Sequence, residues 1–364
     1  MNEIRHFHFV LPFSGRKPVG GFKVVYEYAN ELVRRGHRVS ISHAAGLYLG
    51  VNPNDRPWIN VAKFIIFGIL RNYRPDQWFS LDPRVKTFWR PSLHSLFLPD
   101  ADYIVATSWE TAEWVARCPS SKGEAIYLIQ HLEDWHAPRE RVLNTWRSIS
   151  RKIVISRWLG RIAEELQETC CYSPNGLDFK AFGIDLLPEE RHPASVLMLH
   201  HDQPFKGTPF GIEALEAVRK IAPDLQVTLF GAQPPEPHSV PAWVNFELRP
   251  SPKRLRALYN THAIFISPSL SEGWALPPAE AMQCGCATVL TQIGGHEYAV
   301  EGVTSFLSPP GNPKAMAEAV LSLIKNPELR ITMGEAGHKE IAQYTWQLAT
   351  DRLLEFLMKP RASM

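Results

Sequence analysis

Ser267-Pro268-Ser269-Leu270-Ser271-Glu272-Gly273-Trp274-Ala275-Leu276-Pro277-Pro278-Ala279-Glu280-Ala281-Met282 runs from the end of an apolar strand, through a loop, into a helix. Pro277 and Pro278 suit the first helical positions, where no amide donor is needed. The amides of Gly273, Trp274, Ala275 and Leu276, with the positive end of the helix, then form an anion site fit for a phosphate group. Glu272 lies in the loop and Glu280 is expected in the first helical turn. A carboxylate beside a phosphate is electrostatically costly, so both should point at hydroxyls, which a sugar and a ribose diol supply. The plainer reading makes Glu280 a favourable charge at a helix start and Glu272 a solvated loop residue. It accounts for Glu280 alone but not for the whole stretch.

Outward from this stretch, apolar strands alternate with helices. On the C-terminal side of the chain, strands read at Ser195-Val196-Leu197-Met198-Leu199, Gln226-Val227-Thr228-Leu229-Phe230, Ala263-Ile264-Phe265-Ile266-Ser267 and Ala287-Thr288-Val289-Leu290. Helices are expected at about 210–221, 252–260, 277–284 and 313–325. An earlier series opens with His6-Phe7-His8-Phe9-Val10-Leu11, a Gly-bearing loop and a helix ended by Gly36. Its strands continue at Arg38–Ile41, Tyr103–Ala106, Ala125–Ile129 and Lys152–Ile155. Mostly apolar strands alternating with helices indicate parallel sheets covered on both faces. The composition turns polar and proline-bearing after Ser173-Pro174-Asn175-Gly176-Leu177-Asp178. The expected domains are 1–178, 179–345, and a last amphipathic helix within 346–364 that crosses back to the first. Open α/β sheets bind ligands outside the carboxyl ends of their strands, which places the expected site in a cleft between two doubly wound domains.

With 364 residues, the chain has room for about two domains. Thirty-nine basic residues against 37 acidic ones leave a net charge of +2, which argues against a nucleic-acid partner bound by bulk charge. Cys118, Cys170, Cys171, Cys284 and Cys286 have no framework spacing and read as reduced thiols of a cytoplasmic protein. Cys284-Gly285-Cys286 is too cramped for a usual zinc pair, and no metal is expected. The opening residues lack an apolar signal region, and no run of about 18 apolar residues suggests a membrane span. Residues 58–74 read as a buried or half-buried helix of the first domain; the alternative is an amphipathic helix at the inner face of a membrane, its basic residues towards anionic lipid. Asp100-Ala101-Asp102 precedes a strand and reads as a polar loop. No phosphate-loop, dinucleotide-fingerprint or nucleophile-elbow motif is present.

The opening stretch resembles the paired-glutamate signature of the retaining glycosyltransferases of family 4, which have the GT-B fold. Tyr259-Asn260-Thr261-His262 before the strand, Gly285, Gly294-Gly295, Glu297 and Gly302 after it, Asn175-Gly176-Leu177-Asp178 with Phe182, and Gly20-Gly21 with Leu32 and Arg35-Gly36-His37 are similar to the family's other motifs, in order. His8–Pro12 and Leu128–Glu133 resemble bacterial surface-glycan rhamnosyltransferases of the same family.

The resemblance implies a GT-B chain of two Rossmann-like domains facing each other across a cleft. It implies a metal-independent hexosyltransferase with retention, moving sugar from a nucleoside-diphosphate sugar to a glycan or lipid-linked acceptor in cell-surface polysaccharide biosynthesis. The nucleotide sugar is a co-substrate and no further cofactor is implied. Glu272 would contact the transferred sugar and Glu280 the ribose. Lys206 and the 273–276 amides would bind the diphosphate, and Arg249 would lie at the nucleobase. His131 would stand near the reacting centre, with His136 an equally available histidine, and Gly20 and Gly21 would approach phosphate or acceptor. His201 stands where the family usually has an arginine, and a mostly neutral imidazole there puts half of the cationic clamp in question; Arg16 or Lys17 could substitute. Alternatives of other classes are a GT-B epimerase or phosphorylase and a non-catalytic sugar-nucleotide binder.

Overall fold

The computed structural model describes residues 3–45, 57–135 and 137–358. Its chain forms two compact units, Met1–Pro174 with Trp346–Met364, and Asn175–Thr345.

The first unit contains, in order, β1 (His6–Leu11), α1 (Gly20–Arg34), β2 (Arg38–Ala44), α2 (Pro57–Ile69), β3 (Lys86–Arg90), β4 (Tyr103–Ala106), α3 (Trp109–Val115), β5 (Glu124–Ile129), α4 (Arg139–Ser148), β6 (Arg151–Val154), α5 (Arg157–Glu165) and β7 (Cys171–Tyr172). The strands pair in parallel in the order β3-β2-β1-β4-β5-β6-β7. Central strands such as β1 are buried along nearly their whole length, as expected for a sheet covered on both faces.

The second unit contains β8 (Ser195–Leu199), α6 (Thr208–Ile221), β9 (Gln226–Gly231), β10 (Asn245–Leu248), α7 (Pro252–Thr261), β11 (Ile264–Ser267), α8 (Leu276–Gln283), β12 (Ala287–Thr291), β13 (Ser305–Ser308), α9 (Pro313–Lys325) and α10 (Pro327–Ile341). Its parallel sheet has the order β10-β9-β8-β11-β12-β13. Side-chain alternation along β8 builds two cores. Val196 and Met198 pack with Leu215 and Val218 of α6 and Val320 and Leu323 of α9. Leu197 faces the other way, packing with Leu258 and Tyr259 of α7 and Ala281 of α8. Each buried aliphatic contributes about 1.5–3 kcal/mol, so both faces of the sheet are held.

The last helix, α11 (Trp346–Met358), belongs to the first unit. Trp346 meets Tyr28 edge-on at 5.3 Å, and Arg151 donates to the Phe356 carbonyl at 2.9 Å. Counted within each unit, both sheets run 3-2-1-4-5-6, and the first adds a seventh strand at the end. The chain direction across the sheet reverses between β1 and β4 in the first unit and between β8 and β11 in the second. Ligands of such sheets bind outside the strand ends at that reversal.

Among the described residues, no helix is long and apolar enough to cross a membrane. On α2, Phe64 and Phe67 stack against Trp89 of β3, while Val61, Ile65, Ile66 and Ile69 are at least half exposed. The helix is therefore half-buried.

Candidate donor-binding site

The reversal in the second unit brings together the loops after β8 and β11. The β8 loop carries His200 to Gly207. Leu270 and Ser271 donate their backbone N–H groups to the Phe205 carbonyl at 2.7 and 3.3 Å, which zips the two loops together. Gly207 sits at φ +65°, and a Cβ there would lie 2.0 Å from the Pro268 carbonyl oxygen. Only glycine permits both that backbone turn and that approach.

The consequence is a contact between two of the residues singled out from sequence. The Lys206 ammonium lies 2.8 Å from both oxygens of the Glu272 carboxylate, and Ser269 donates its hydroxyl to Oε1 at 2.8 Å. Burial pushes the Glu272 carboxyl up. The Lys206 charge and hydrogen bond, with the Ser269 hydroxyl, outweigh it and hold the group below the usual glutamate value. Glu272 is therefore an anion at neutral pH, not a solvated loop carboxylate.

Helix α8 begins at Leu276 with no side-chain cap. Among the described residues, no protein acceptor reaches the Trp274 or Leu276 N–H, so both remain available beside the positive end of the helix. The expectation that all four amides of 273–276 are open needs correction. The Ala275 N–H donates to the Gly295 carbonyl at 3.0 Å, and the Ala275 carbonyl accepts from the Tyr298 hydroxyl at 2.8 Å. Ala275 is thus tied on both sides into its own unit. The Trp274 indole packs between Tyr298 and Tyr344, leaving its main chain as the part that can meet a ligand.

Glu280 is the fifth residue of α8 and falls just past its first turn, because the helix starts at Leu276, one residue earlier than expected. Its side chain is buried, and Tyr259 donates its hydroxyl to Oε2 at 3.2 Å. A buried, hydrogen-bonded carboxylate does more than complement the helix dipole.

His201 shares a ring of bonds with its loop. Its N–H donates to Thr208 Oγ1 at 3.1 Å, the Thr208 hydroxyl donates to its carbonyl at 2.9 Å, and Gln203 N–H donates to its Nδ1 at 3.1 Å. Desolvation within the loop and the Lys206 charge lower its pKa, so the imidazole is neutral at pH 7. Arg249 sits at φ +50°, and its Nε folds back to donate to the Ala232 carbonyl at 2.8 Å.

In the first unit, Gly20 and Gly21 open α1 next to the reversal of that sheet. Gly20 has open space where a Cβ would stand, whereas a Cβ on Gly21 would come within 3.3 Å of the Gln130 side-chain amide. Next to Gln130, the His131 ring lies between Trp135 and Trp158, at 4.5 and 5.4 Å. His136 lies outside the described residues. Glu133, not singled out from sequence, stands at φ +60° and accepts the Trp109 N–H at 2.9 Å. Burial pushes its carboxyl up to about 8 against the pull of that bond.

Residues 195–326 match the family model described as Glycosyl transferases group 1. Among curated relatives, a D-inositol 3-phosphate glycosyltransferase of Corynebacterium glutamicum is 30% identical over 179 residues, covering 44% of this chain and 42% of that protein. The chain spans less than half the length of the curated relatives it matches. Sucrose-phosphate synthase from Thermosynechococcus elongatus superposes with a TM-score of 0.75 at 16% identity, covering 99% of this chain and 100% of that one. Anabaena HepE, solved with UDP and glucose, superposes at 0.73 and 17% identity, covering 98% and 100%. At these identities the likeness is one of fold. The chain has the GT-B fold, with two Rossmann-like parallel-sheet units, as expected from the sequence. The matched span holds Lys206, Glu272, Glu280 and the open amides.

Proposed function

We propose that the chain is a glycosyltransferase that moves a hexose from a nucleoside-diphosphate sugar to a glycan or lipid-linked acceptor, with retention at the anomeric carbon. The observation that carries this reading is the Lys206–Glu272 pair at the sheet reversal, beside the open Trp274 and Leu276 amides. A cation, two N–H donors and a helix N-terminus stand where a diphosphate leaving group would need them. A carboxylate held ionised stands next to them, where sugar hydroxyls would need an acceptor.

In this reading the donor diphosphate takes a share of the Lys206 ammonium. That frees Glu272 to accept from the sugar, while Glu280 accepts from the ribose. Charge developing on the departing diphosphate is met by Lys206, the two amides and the α8 dipole. The same-face route has the leaving phosphate deprotonate the acceptor hydroxyl, with no step given to a metal ion or further cofactor. Arg249 is assigned to the nucleobase side, and the loop of neutral His201 to the phosphate side. Gly20, Gly21 and His131 are assigned to the reacting end of the first unit, which holds the acceptor.

We place the protein in cell-surface polysaccharide biosynthesis at the cytoplasmic side of a membrane. Exposed Ile65, Ile66, Ile69 and Leu70 support peripheral contact. So do the basic residues Lys63 and Arg71 of the same stretch, whereas Arg74 is turned to Asp76 at 2.8 Å.

A panel of nucleotide sugars, read by melting shift and by nucleotide release with and without acceptor glycan, tests the reading. One donor should stabilise the protein and release its nucleotide only when acceptor is present. Release without acceptor favours an epimerase or phosphorylase, and stabilisation without any release favours a binder.

A further inference from the structure

The Glu272 carboxylate is held from behind by a chain of buried groups that the reading above leaves idle. His296 ends the short turn Gly294–His296 after β12 and is fully enclosed. Its Nδ1 lies 2.8 Å from the Thr291 carbonyl, which only accepts, so Nδ1 carries the proton. Nε2 of the neutral ring is then an acceptor, and Ser267 Oγ stands 3.4 Å from it. Ser267 Oγ is also 3.4 Å from Ser269 Oγ, whose own proton goes to Glu272 Oε1, so the single Ser267 proton faces two acceptors, His296 Nε2 and Ser269 Oγ, at equal and long distance. Burial lowers the His296 pKa, with Lys206 adding to it, against the pull of the Thr291 carbonyl and of Glu272, which fits the neutral ring this pattern needs.

The same turn touches Glu272 directly. A Cβ on Gly295 would lie 2.3 Å from Glu272 Cβ and 2.6 Å from its carbonyl oxygen, so the bare glycine forms a shelf under that residue. The Gly295 carbonyl also accepts the Ala275 N–H. Three adjacent features of one turn thus converge on the loop that carries the carboxylate.

We propose that His296 is a positioning residue that, through Ser267 and Ser269 and from the Gly295 shelf, fixes the direction of the Glu272 carboxylate and so sets the rate of sugar transfer without setting nucleotide affinity. The inference rests on the assignment of Glu272 to the transferred sugar. A carboxylate that has lost its backing still pairs with Lys206 but is free to rotate, and loss of orientation falls on the chemical step. The nucleotide is held by other groups.

The experiment compares the full chain with Ser267→Ala, His296→Asn and Glu272→Ala. Asparagine keeps a donor towards the Thr291 carbonyl and loses the reach to Ser267; Ser267→Ala cuts the chain while leaving His296 in place. Binding of UDP, GDP and TDP is read by melting shift, and turnover by nucleotide release from the matching sugar donor. Ser267→Ala and His296→Asn should bind the nucleoside diphosphate within about twofold of the parent, with KM little changed and kcat lowered roughly threefold to tenfold. Parent-like kcat in Ser267→Ala, or nucleotide affinity falling in step with kcat, overturns the proposal. Parent-like turnover in Glu272→Ala, or a parent that binds none of the nucleotides, overturns instead the reading on which it rests.

Discussion

Lys206 neutralises Glu272 through both carboxylate oxygens at 2.8 Å, across two loops that leave different strands of one sheet. The pair is mostly sheltered, with 19% of the lysine side chain and 12% of the glutamate side chain exposed. Removing one partner therefore strands a charge in a poorly solvated place. In Lys206→Ala, the burial that pushes the Glu272 carboxyl up is no longer outweighed. Donor affinity should fall on the order of tenfold or more. The acid limb of the pH–rate profile should move to higher pH, because the folded-state carboxyl now titrates above its former range. An unchanged acid limb would show that Lys206 does not hold Glu272 ionised.

Glu280→Gln keeps the size of the side chain and an acceptor for the Tyr259 hydroxyl but removes the charge. If Glu280 holds the ribose diol, affinity for the bare nucleoside diphosphate should drop roughly tenfold, while the parent affinity ratio between nucleotide and nucleotide sugar is kept. Isothermal titration with both ligands measures this. A change confined to the nucleotide sugar would move Glu280 to the sugar side.

Gly207→Ala must place a methyl 2.0 Å from the Pro268 carbonyl at φ +65°. Backbone strain and the clash together should cost about 2 kcal/mol or more, seen as a fall of several degrees in Tm. Because the same glycine seats the Lys206 loop, nucleotide-induced stabilisation should be lost as well. An alanine variant that melts and binds like the parent would mean the two loops are free to part.

Stability at low pH should be governed in part by the first unit. Burial, with Arg74 adding to it against the Phe13 carbonyl that pulls the other way, lowers the His43 pKa to about 4; burial, with neighbouring positive charge, lowers that of His8 to about 3. Both are neutral in the folded state where the unfolded chain would be protonated. Their penalty is absent above the ordinary histidine value of 6.5 and grows as pH falls towards 4. For His43 alone the gap of roughly 2.5 pH units corresponds to about 3 kcal/mol. His43→Asn keeps a donor for the Phe13 carbonyl and should flatten the fall in urea midpoint between pH 6.5 and 4.

Flotation with anionic vesicles checks the surface of α2. The parent should float with the vesicles and be released by salt, whereas Ile65→Glu with Ile69→Glu should stay behind. Equal recovery of both would remove the membrane from the reading.

Much of the second unit was legible before any coordinates, because β8, β9, β11 and β12 are buried strands whose apolar runs announce themselves. The strands that the sequence pattern does not announce are β3, β7, β10 and β13, and these are the four outer strands of the two sheets. An edge strand has one hydrogen-bonded neighbour and is only partly covered, so Lys86–Arg90 and Asn245–Leu248 carry polar residues that blur the period-two signal. The same limit applies at the site. Lys206 and Glu272 were identifiable from local motifs. The engagement of the Ala275 amide depends on Gly295, twenty residues further on, and the burial of His296 is a tertiary fact that a glycine-rich run does not disclose.

The return of α11 to the first unit makes that unit discontinuous along the chain. The ribosome delivers residues 175–345 before the helix that covers Tyr28 and Arg151 exists. During synthesis the N-terminal sheet therefore waits, with an apolar flank open to chaperones or to its own premature aggregation, until the whole C-terminal body has emerged.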